Sequence, residues 1–388
     1  MNTGPGSIST VGAGAVVFWV ATANGCRPAA YWRLTPPTEK ANAGCQRSAL
    51  AERAEAFMAD GTVRVGFVGA GGIAQAHIGA LQSIPEAKVV AVCDVDRPRA
   101  EAVAAPLGAA VFERGADLIE KAELDALYIC VPPAVHDDLE VRAAERRLHL
   151  FVEKPVTLFP AEALRAQRAI REAGVMSQVG YSLRYLPGSV QLREFLADKS
   201  VGTAHVFRWG GIPGAPWWRR YNESGGQLVE MTTHQVDLLR WVMGEVESVA
   251  ASYSFGRLLA DQPDVTVPDS QAALLRFASG ASATVSTACA AGKAGMGGLH
   301  FLIRDATVSW QGSGIAVSPE GAYEVPPVRE SPGIDEAFIR AILTGDRSLL
   351  RSPYEDAVRT AAVTWAANRS AEEGGRLVMV DEVLAGAI

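Results

Sequence analysis

From Val63 onward the chain alternates between short apolar runs and stretches of helical period. The runs are Val63–Val68, Lys88–Cys93, Ala109–Phe112, Ala126–Val131 and Leu148–Val152; the helical stretches include Arg97–Ala105, Ala116–Lys121 and Ala134–Arg146. Strands alternating with helices predict a parallel sheet joined by right-handed crossovers. The pattern changes after Pro155. A helix at Ala161–Ala173 leads to a strand at Val175–Val179. Runs with β character then follow one another at Thr203–Trp209, Val246–Ser254, Gln271–Phe277, Ser282–Thr287 and Leu299–Ile303. Strands without long helices between them predict an antiparallel sheet, which can keep one face for a ligand or another subunit. Glu336–Leu343 and Tyr354–Glu372 read as helices that close the chain. The expected fold is α/β: a doubly wound parallel sheet of the Rossmann type over residues 61–180, then an α+β part over 181–388 with a mostly antiparallel open sheet, its C-terminal helix packing back on the first part.

Residues 1–60 do not share this patterning. Met1–Gly25 carries no charge, and the apolar stretch Val11–Val20 is broken by glycines. It is too short to span a bilayer and lacks the basic start of a secretory signal. The segment reads as a disordered extension or as sequence upstream of a true start, with Met58 as a candidate initiator; an arm that wraps a partner subunit is the alternative.

Composition narrows the class of function. A chain of 388 residues with net charge −7 and no block of basic residues is long enough for two domains and does not suit nucleic acid. Cys26, Cys45, Cys93, Cys130 and Cys289 show no metal-ligand spacing, and a reducing cytoplasm is the expected home. No metal site is expected.

Candidate chemistry begins where Val63–Val68 runs into Gly69-Ala70-Gly71-Gly72-Ile73-Ala74. This fits G-x-G-x-x-G/A between a strand and a helix. Gly69 permits the turn, Gly71 leaves room for a pyrophosphate, small Ala74 allows close helix–strand packing, and free N–H groups at the helix start meet the phosphate charge. Asp94 ends the second run, a little over twenty residues on, where a carboxylate accepts from an adenosine ribose and repels a 2′-phosphate. NAD is therefore expected over NADP, with Arg97 near enough to soften the preference. Val131-Pro132-Pro133 ends the fourth run at the same sheet edge, and His136 either contacts the nicotinamide region or caps and packs beneath the loop. Glu153-Lys154-Pro155 follows the fifth run. Alone it reads as a surface ion pair before a turn; at the carboxyl end of a strand in such a sheet, the lysine points into the ligand crevice on a stiff mount.

A second constellation is Glu230, His234 and Asp237, at i, i+4 and i+7 of one predicted helix after Ser224-Gly225-Gly226. Their neighbours are strongly apolar, so the three must pair with one another's surroundings or line a cleft. The first alternative is a satisfied polar ladder between helices; the second, favoured by the crevice and its lysine, is an acid–base site. Arg184 reads either as a substrate contact or as a salt bridge at the junction, Tyr181 as a contact or a packing residue, and Trp218 as a sugar-stacking face or a core anchor. His77, His149, His205 and His300 read as ordinary structural residues.

In their order and separation, VGAGGIA, Asp94, VPPAVH, EKP, GYSLRY and SGGQLVEMTTHQVD resemble the glucose–fructose oxidoreductase and inositol dehydrogenase family, Gfo/Idh/MocA, from about Val63 to Leu377. The resemblance implies that Lys154 is catalytic and that Glu230 and His234 are the family's acid and histidine. The acid is more usually Asp, so Glu230 is a departure that shifts the substrate by a methylene. It further implies transfer of hydride between a secondary alcohol of a sugar or cyclitol and NAD. His234 would be the general base, Lys154 the stabiliser of the alkoxide, and Glu230 the group that orients the imidazole or holds the lysine charged. A homo-oligomer, dimer or tetramer, through the C-terminal sheet goes with that reading. Two alternatives stay open: an NAD-dependent glycosidase working by transient oxidation, and a redox-silent NAD-binding regulator.

Overall fold

The structure, a computed structural model, describes residues 61–386 together with a two-residue antiparallel ladder between Trp19–Val20 and Arg27–Pro28. The expectations for residues 1–60 otherwise lie outside the described residues. Six strands form an all-parallel sheet: β1 (Val63–Val68), β2 (Ala87–Cys93), β3 (Ala110–Phe112), β4 (Ala126–Ile129), β5 (His149–Val152) and β6 (Ser177–Val179). Their spatial order is β3-β2-β1-β4-β5-β6. The order reverses between β1 and β4, the place where such sheets open a crevice at their carboxyl ends. Helices α1 (Gly72–Leu81), α2 (Arg97–Ala104), α3 (Gly115–Lys121), α4 (Leu139–Glu145) and α5 (Pro160–Ala173) make the crossovers. Covered on both faces, β4 and the last three residues of β5 are wholly buried apolar runs.

A helix not foreseen in the sequence, α6 (Pro187–Leu196), leads into a second, eight-stranded sheet. Its first strand is β7 (Thr203–Trp209). Two short helices, α7 (Tyr221–Ser224) and α8 (Gln227–Glu230), precede α9 (Thr233–Met243). Then come β8 (Val246–Ser254), β9 (Ser270–Phe277), β10 (Ser282–Ala288), β11 (Met296–Ile303), β12 (Ala306–Gln311) and β13 (Gly314–Ser318). Helices α10 (Ile334–Thr344) and α11 (Tyr354–Glu372), strand β14 (Val378–Met379) and α12 (Val380–Ala385) complete the chain. The order is β13-β12-β11-β7-β10-β9-β8-β14. Every pairing is antiparallel except β7 with β10, so the sheet is mixed, though mostly antiparallel.

Alternation along β9 (buried at Gln271, Ala273, Leu275 and Phe277, exposed between them) shows one face covered by helices and one open. Helix α11 lies on the covered face and also reaches the first sheet: Tyr354 N–H donates to Ser177 Oγ at 3.1 Å, and Val179 N–H to the Ser352 carbonyl at 2.8 Å. The stretch read as one helix over 134–146 is in fact a 3-10 turn, Pro133–Val135, and α4, separated by Asp137 at φ 51°.

Candidate active site

The crevice edge is built by the turns that leave β1, β2, β4 and β5. Gly69 sits at φ +101°, and a Cβ there would stand 2.3 Å from the Cys130 carbonyl oxygen, so only glycine closes this turn. At Gly71 and Gly72 a Cβ would meet nothing within 4 Å: both border open space at the start of α1. That helix has no side-chain cap and no acidic residue in its first turn, which leaves its leading N–H groups to an anion. Ile73, Val95, Val135 and Phe159, one on each of the four turns, are exposed apolar side chains. A glycine cradle with apolar residues around it fits a dinucleotide. Ala74, buried in α1, gives the close packing expected of it, and Pro132 precedes the 3-10 turn on the same edge.

Asp94 is buried. It accepts from Ala70 N–H (2.8 Å) and Asp96 N–H (2.8 Å), and Arg99 donates to both of its oxygens (3.1 and 2.6 Å). Burial pushes its pKa up, but the Arg99 and backbone hydrogen bonds win and hold it below the usual carboxylate range. Arg97 does not do what the sequence suggested. It turns away, to Glu101 (2.8 Å) and Glu113 (2.7 Å), and the guanidinium beside the ribose acid is that of Arg99. His136 is buried against Glu140 (2.6 Å) and the Val131 carbonyl, the packing alternative of its two readings.

Lys154 leaves β5 with its side chain 12% exposed. Its Nζ donates to Glu230 Oε1 at 2.5 Å and to the Glu230 carbonyl at 2.8 Å. An ammonium has three donors, so one remains free among the described residues. Trp218 Nε1 donates to the other carboxylate oxygen, Oε2, at 2.8 Å. Trp218 is thus buried under Glu230 and presents no face to a sugar, contrary to the stacking expectation. Behind Lys154, Glu153 is buried and accepts from His77 Nε2 at 3.1 Å, while His77 Nδ1 lies 2.8 Å from Asp335 of α10. Burial alone would lower the His77 pKa, yet its hydrogen bonds to the two carboxylates raise it to about 9. His77, read as an ordinary residue, is a buried cation tying the lysine's mount to α10. No spacing signals this, because Asp335 lies far along the chain.

The predicted single helix carrying Glu230, His234 and Asp237 is broken. Glu230 ends α8, His234 is in the first turn of α9, and the three side chains part company. Glu230 bonds Lys154 and Trp218, not the imidazole. His234 Nδ1 is enclosed and has no partner. Burial first, then the charges of Lys154 and Arg208, press its pKa down to about 3. The charges of Lys154, from the first sheet, and of Arg208 are thus both felt at the imidazole of α9. The edge of Tyr181 meets the imidazole at 6.1 Å between centroids, while its hydroxyl bonds Thr233 (3.1 Å); it packs, fully buried. Asp237 points elsewhere, to a bidentate pair with Arg184 (2.7 and 2.6 Å), and Asp356 of α11 joins it at 2.6 Å. Both members are buried, which is the salt-bridge alternative for Arg184; neither faces the cleft as a substrate contact. Arg208 was not singled out in the sequence. Its signal is an arginine at the buried parity of a strand, after Ala204 and Val206.

Comparison with known proteins agrees with this architecture. Residues 63–181 match the model of an oxidoreductase family with an NAD-binding Rossmann fold, and residues 190–303 match the GFO/IDH/MocA C-terminal domain. The chain is 33% identical over 231 residues to an inositol 2-dehydrogenase of Rhizobium meliloti, a match covering 58% of this chain and 68% of that protein. It is 30% identical over 224 residues to an uncharacterized oxidoreductase, YrbE, of Bacillus subtilis, covering 57% and 65%. The matched part thus spans about two-thirds of the length of these relatives. A crystal structure of an oxidoreductase from Thermotoga maritima superposes with a TM-score of 0.72 over 83% of this chain and 100% of that one, at 20% identity, and so shares the fold. By its glycine cradle, its reversed strand order and both matched halves, the chain belongs to the Gfo/Idh/MocA family of oxidoreductases, built on an NAD-binding Rossmann fold.

Proposed function

We propose that this protein is an NAD-dependent oxidoreductase that moves hydride between a secondary alcohol of a sugar or cyclitol and the cofactor, or the reverse. The observation that carries the reading is Lys154: it is fixed at the carboxyl end of β5 by Glu230, has a donor to spare, and its charge is felt at the His234 imidazole. Gly69, Gly71, Gly72 and the start of α1 would hold the pyrophosphate, and Asp94 the ribose. Bound there, NAD supplies the hydride acceptor. The chain supplies the rest. His234, neutral at working pH, takes the hydroxyl proton at Nε2, the ring nitrogen that is not enclosed. Lys154 donates its third N–H to the oxygen as negative charge grows on it. Glu230 keeps the ammonium aimed, and Trp218 keeps Glu230 in place. The inositol 2-dehydrogenase relative supports the substrate class.

A screen of polyols and keto-sugars with NAD and NADP, following the reduced ring's absorbance, tests this. Turnover with NAD is expected, and Lys154→Ala should lower it by orders of magnitude with little change in NAD affinity. Comparable activity in the variant removes Lys154 from the mechanism. Silence across the panel favours the regulator, and glycoside cleavage without net cofactor consumption favours the glycosidase.

A further inference from the structure

We infer that Arg208 forms an anion subsite beside the candidate active site, and that the substrate it selects carries a carboxylate: an acidic sugar rather than a neutral one. This deepens the oxidoreductase reading and rests on it.

Arg208 stands near the end of β7 on the face that Ala204 and Val206 bury, the face covered by helices. It is half-buried, yet it makes no ion pair and donates no side-chain hydrogen bond to any described residue. The one carboxylate whose charge reaches it is Glu230, and both oxygens of Glu230 are already engaged by Lys154 and Trp218. Its cross-strand neighbours do not cover it. Gly297 on β11 has no side chain, and Thr287 on β10 turns its hydroxyl to Thr232 and to the Arg208 carbonyl. The space left is a cavity of about 530 Å³ lined by Arg208, Gln235, Gly297, Leu299 and Trp310, within the range of small-molecule sites. Gln235, next to His234 in the chain, lines it and holds a buried Oε1 with no partner.

The charges decide the ligand. Lys154 is balanced by Glu230, so the cleft carries one uncompensated cation. Taking a cation out of water without a partner costs several kcal/mol, and burial already presses the Arg208 pKa down. A carboxylate brings one negative charge in the planar shape a guanidinium pairs with bidentately. A phosphate, at about −1.5 to −2, would overshoot. Such an anion would also shield His234 from one of the two cations that lower its basicity, so the acid would prime the base that deprotonates it.

The test compares glucuronate, galacturonate and mannuronate with glucose, galactose and mannose on the full chain with NAD, as the ratio of kcat/KM for acid over neutral sugar. A thermal-shift titration with the same six sugars gives a reading independent of turnover. The wild type should favour at least one acid by about tenfold or more, the scale of a charge-assisted hydrogen bond. Arg208→Gln should bring that ratio toward one, and Arg208→Lys should keep part of it. Turnover with no preference for acids, or a ratio that survives Arg208→Gln, overturns the subsite and leaves the oxidoreductase reading standing. A saturable shift by a hexuronate that Arg208→Gln abolishes, without turnover of any sugar, upholds the subsite and removes the oxidoreductase reading. Neither shift nor turnover removes both. If Arg208→Gln does not fold, the wild-type ratio and Arg208→Lys decide.

Discussion

Asp94 and Arg99 show how much one side chain's direction matters. Arg97 is the nearer to Asp94 in the sequence, yet helix α2 turns it toward Glu101 and Glu113 and turns Arg99 onto Asp94. Removing the carboxylate leaves Arg99 free to meet a 2′-phosphate. Asp94→Ser should therefore narrow the preference for NAD over NADP by about tenfold or more, read as the ratio of the two kcat/KM values. Glu230 poses the complementary case. Glu230→Gln keeps its shape and the indole bond but removes the charge facing Lys154. Turnover should fall by about tenfold or more while the affinity for NAD holds, checked by kinetics and cofactor titration. The residue types of Lys154, Glu230 and His234 were legible because each sits in a short motif. Their pairing was not: that Glu230 serves the lysine rather than the imidazole depends on a contact 76 residues apart in the chain.

Among elements, the strands of the first sheet were read to within two residues at either end, most clearly β4 and β5, whose burial makes apolar runs. Helix α6 and the β12–β13 hairpin were missed because their apolar residues are interrupted by Gly, Ser, Gln and charged positions. The break between α8 and α9 could not be read locally at all. In one continuous helix the Glu230 carbonyl would accept from His234 N–H; here it accepts from Lys154 Nζ instead. A side chain from another sheet thus separates the two turns and frees His234 to face the cleft. The mount of that lysine is equally tight. A Cβ at Gly180 would lie 2.0 Å from Glu153 Oε1, so Gly180→Ala must displace Glu153. We expect a loss of about 1–3 kcal/mol in urea unfolding together with a clear fall in turnover. Unchanged stability would mean that Glu153 moves without resistance.

For the whole molecule, two histidines set opposite limbs of the stability curve. His77, raised to about 9, contributes stability that is full below its unfolded value near 6.5 and is lost as pH rises through about 9. His234, lowered to about 3, does the reverse: the unfolded chain takes up its proton first, so stability falls as pH drops from 6.5 toward 3. Urea midpoints should peak near pH 6.5, and His77→Gln should flatten the alkaline limb, a term of about 3 kcal/mol in the wild type. The open face of the second sheet carries Trp209, Leu274, Met296 and Leu302, each more than 40% exposed, beside stacked His205, Phe207 and His300. We propose that a second copy covers it. Sedimentation should show an oligomer that Trp209→Lys with Leu302→Lys dissociates. In the described residues no helix is long and apolar enough to cross a membrane.

The single unspent N–H of Lys154 has a stereochemical consequence. On the proposed reading, one donor on a fixed stem, acting with the imidazole, would grip a carbinol oxygen from one direction alone. Of two epimers that differ only at the reacting carbon, the mismatched one would have to turn its C–H away to keep both contacts. On the proposed reading, the choice of alcohol epimer would follow from how two of an ammonium's three hydrogens are occupied.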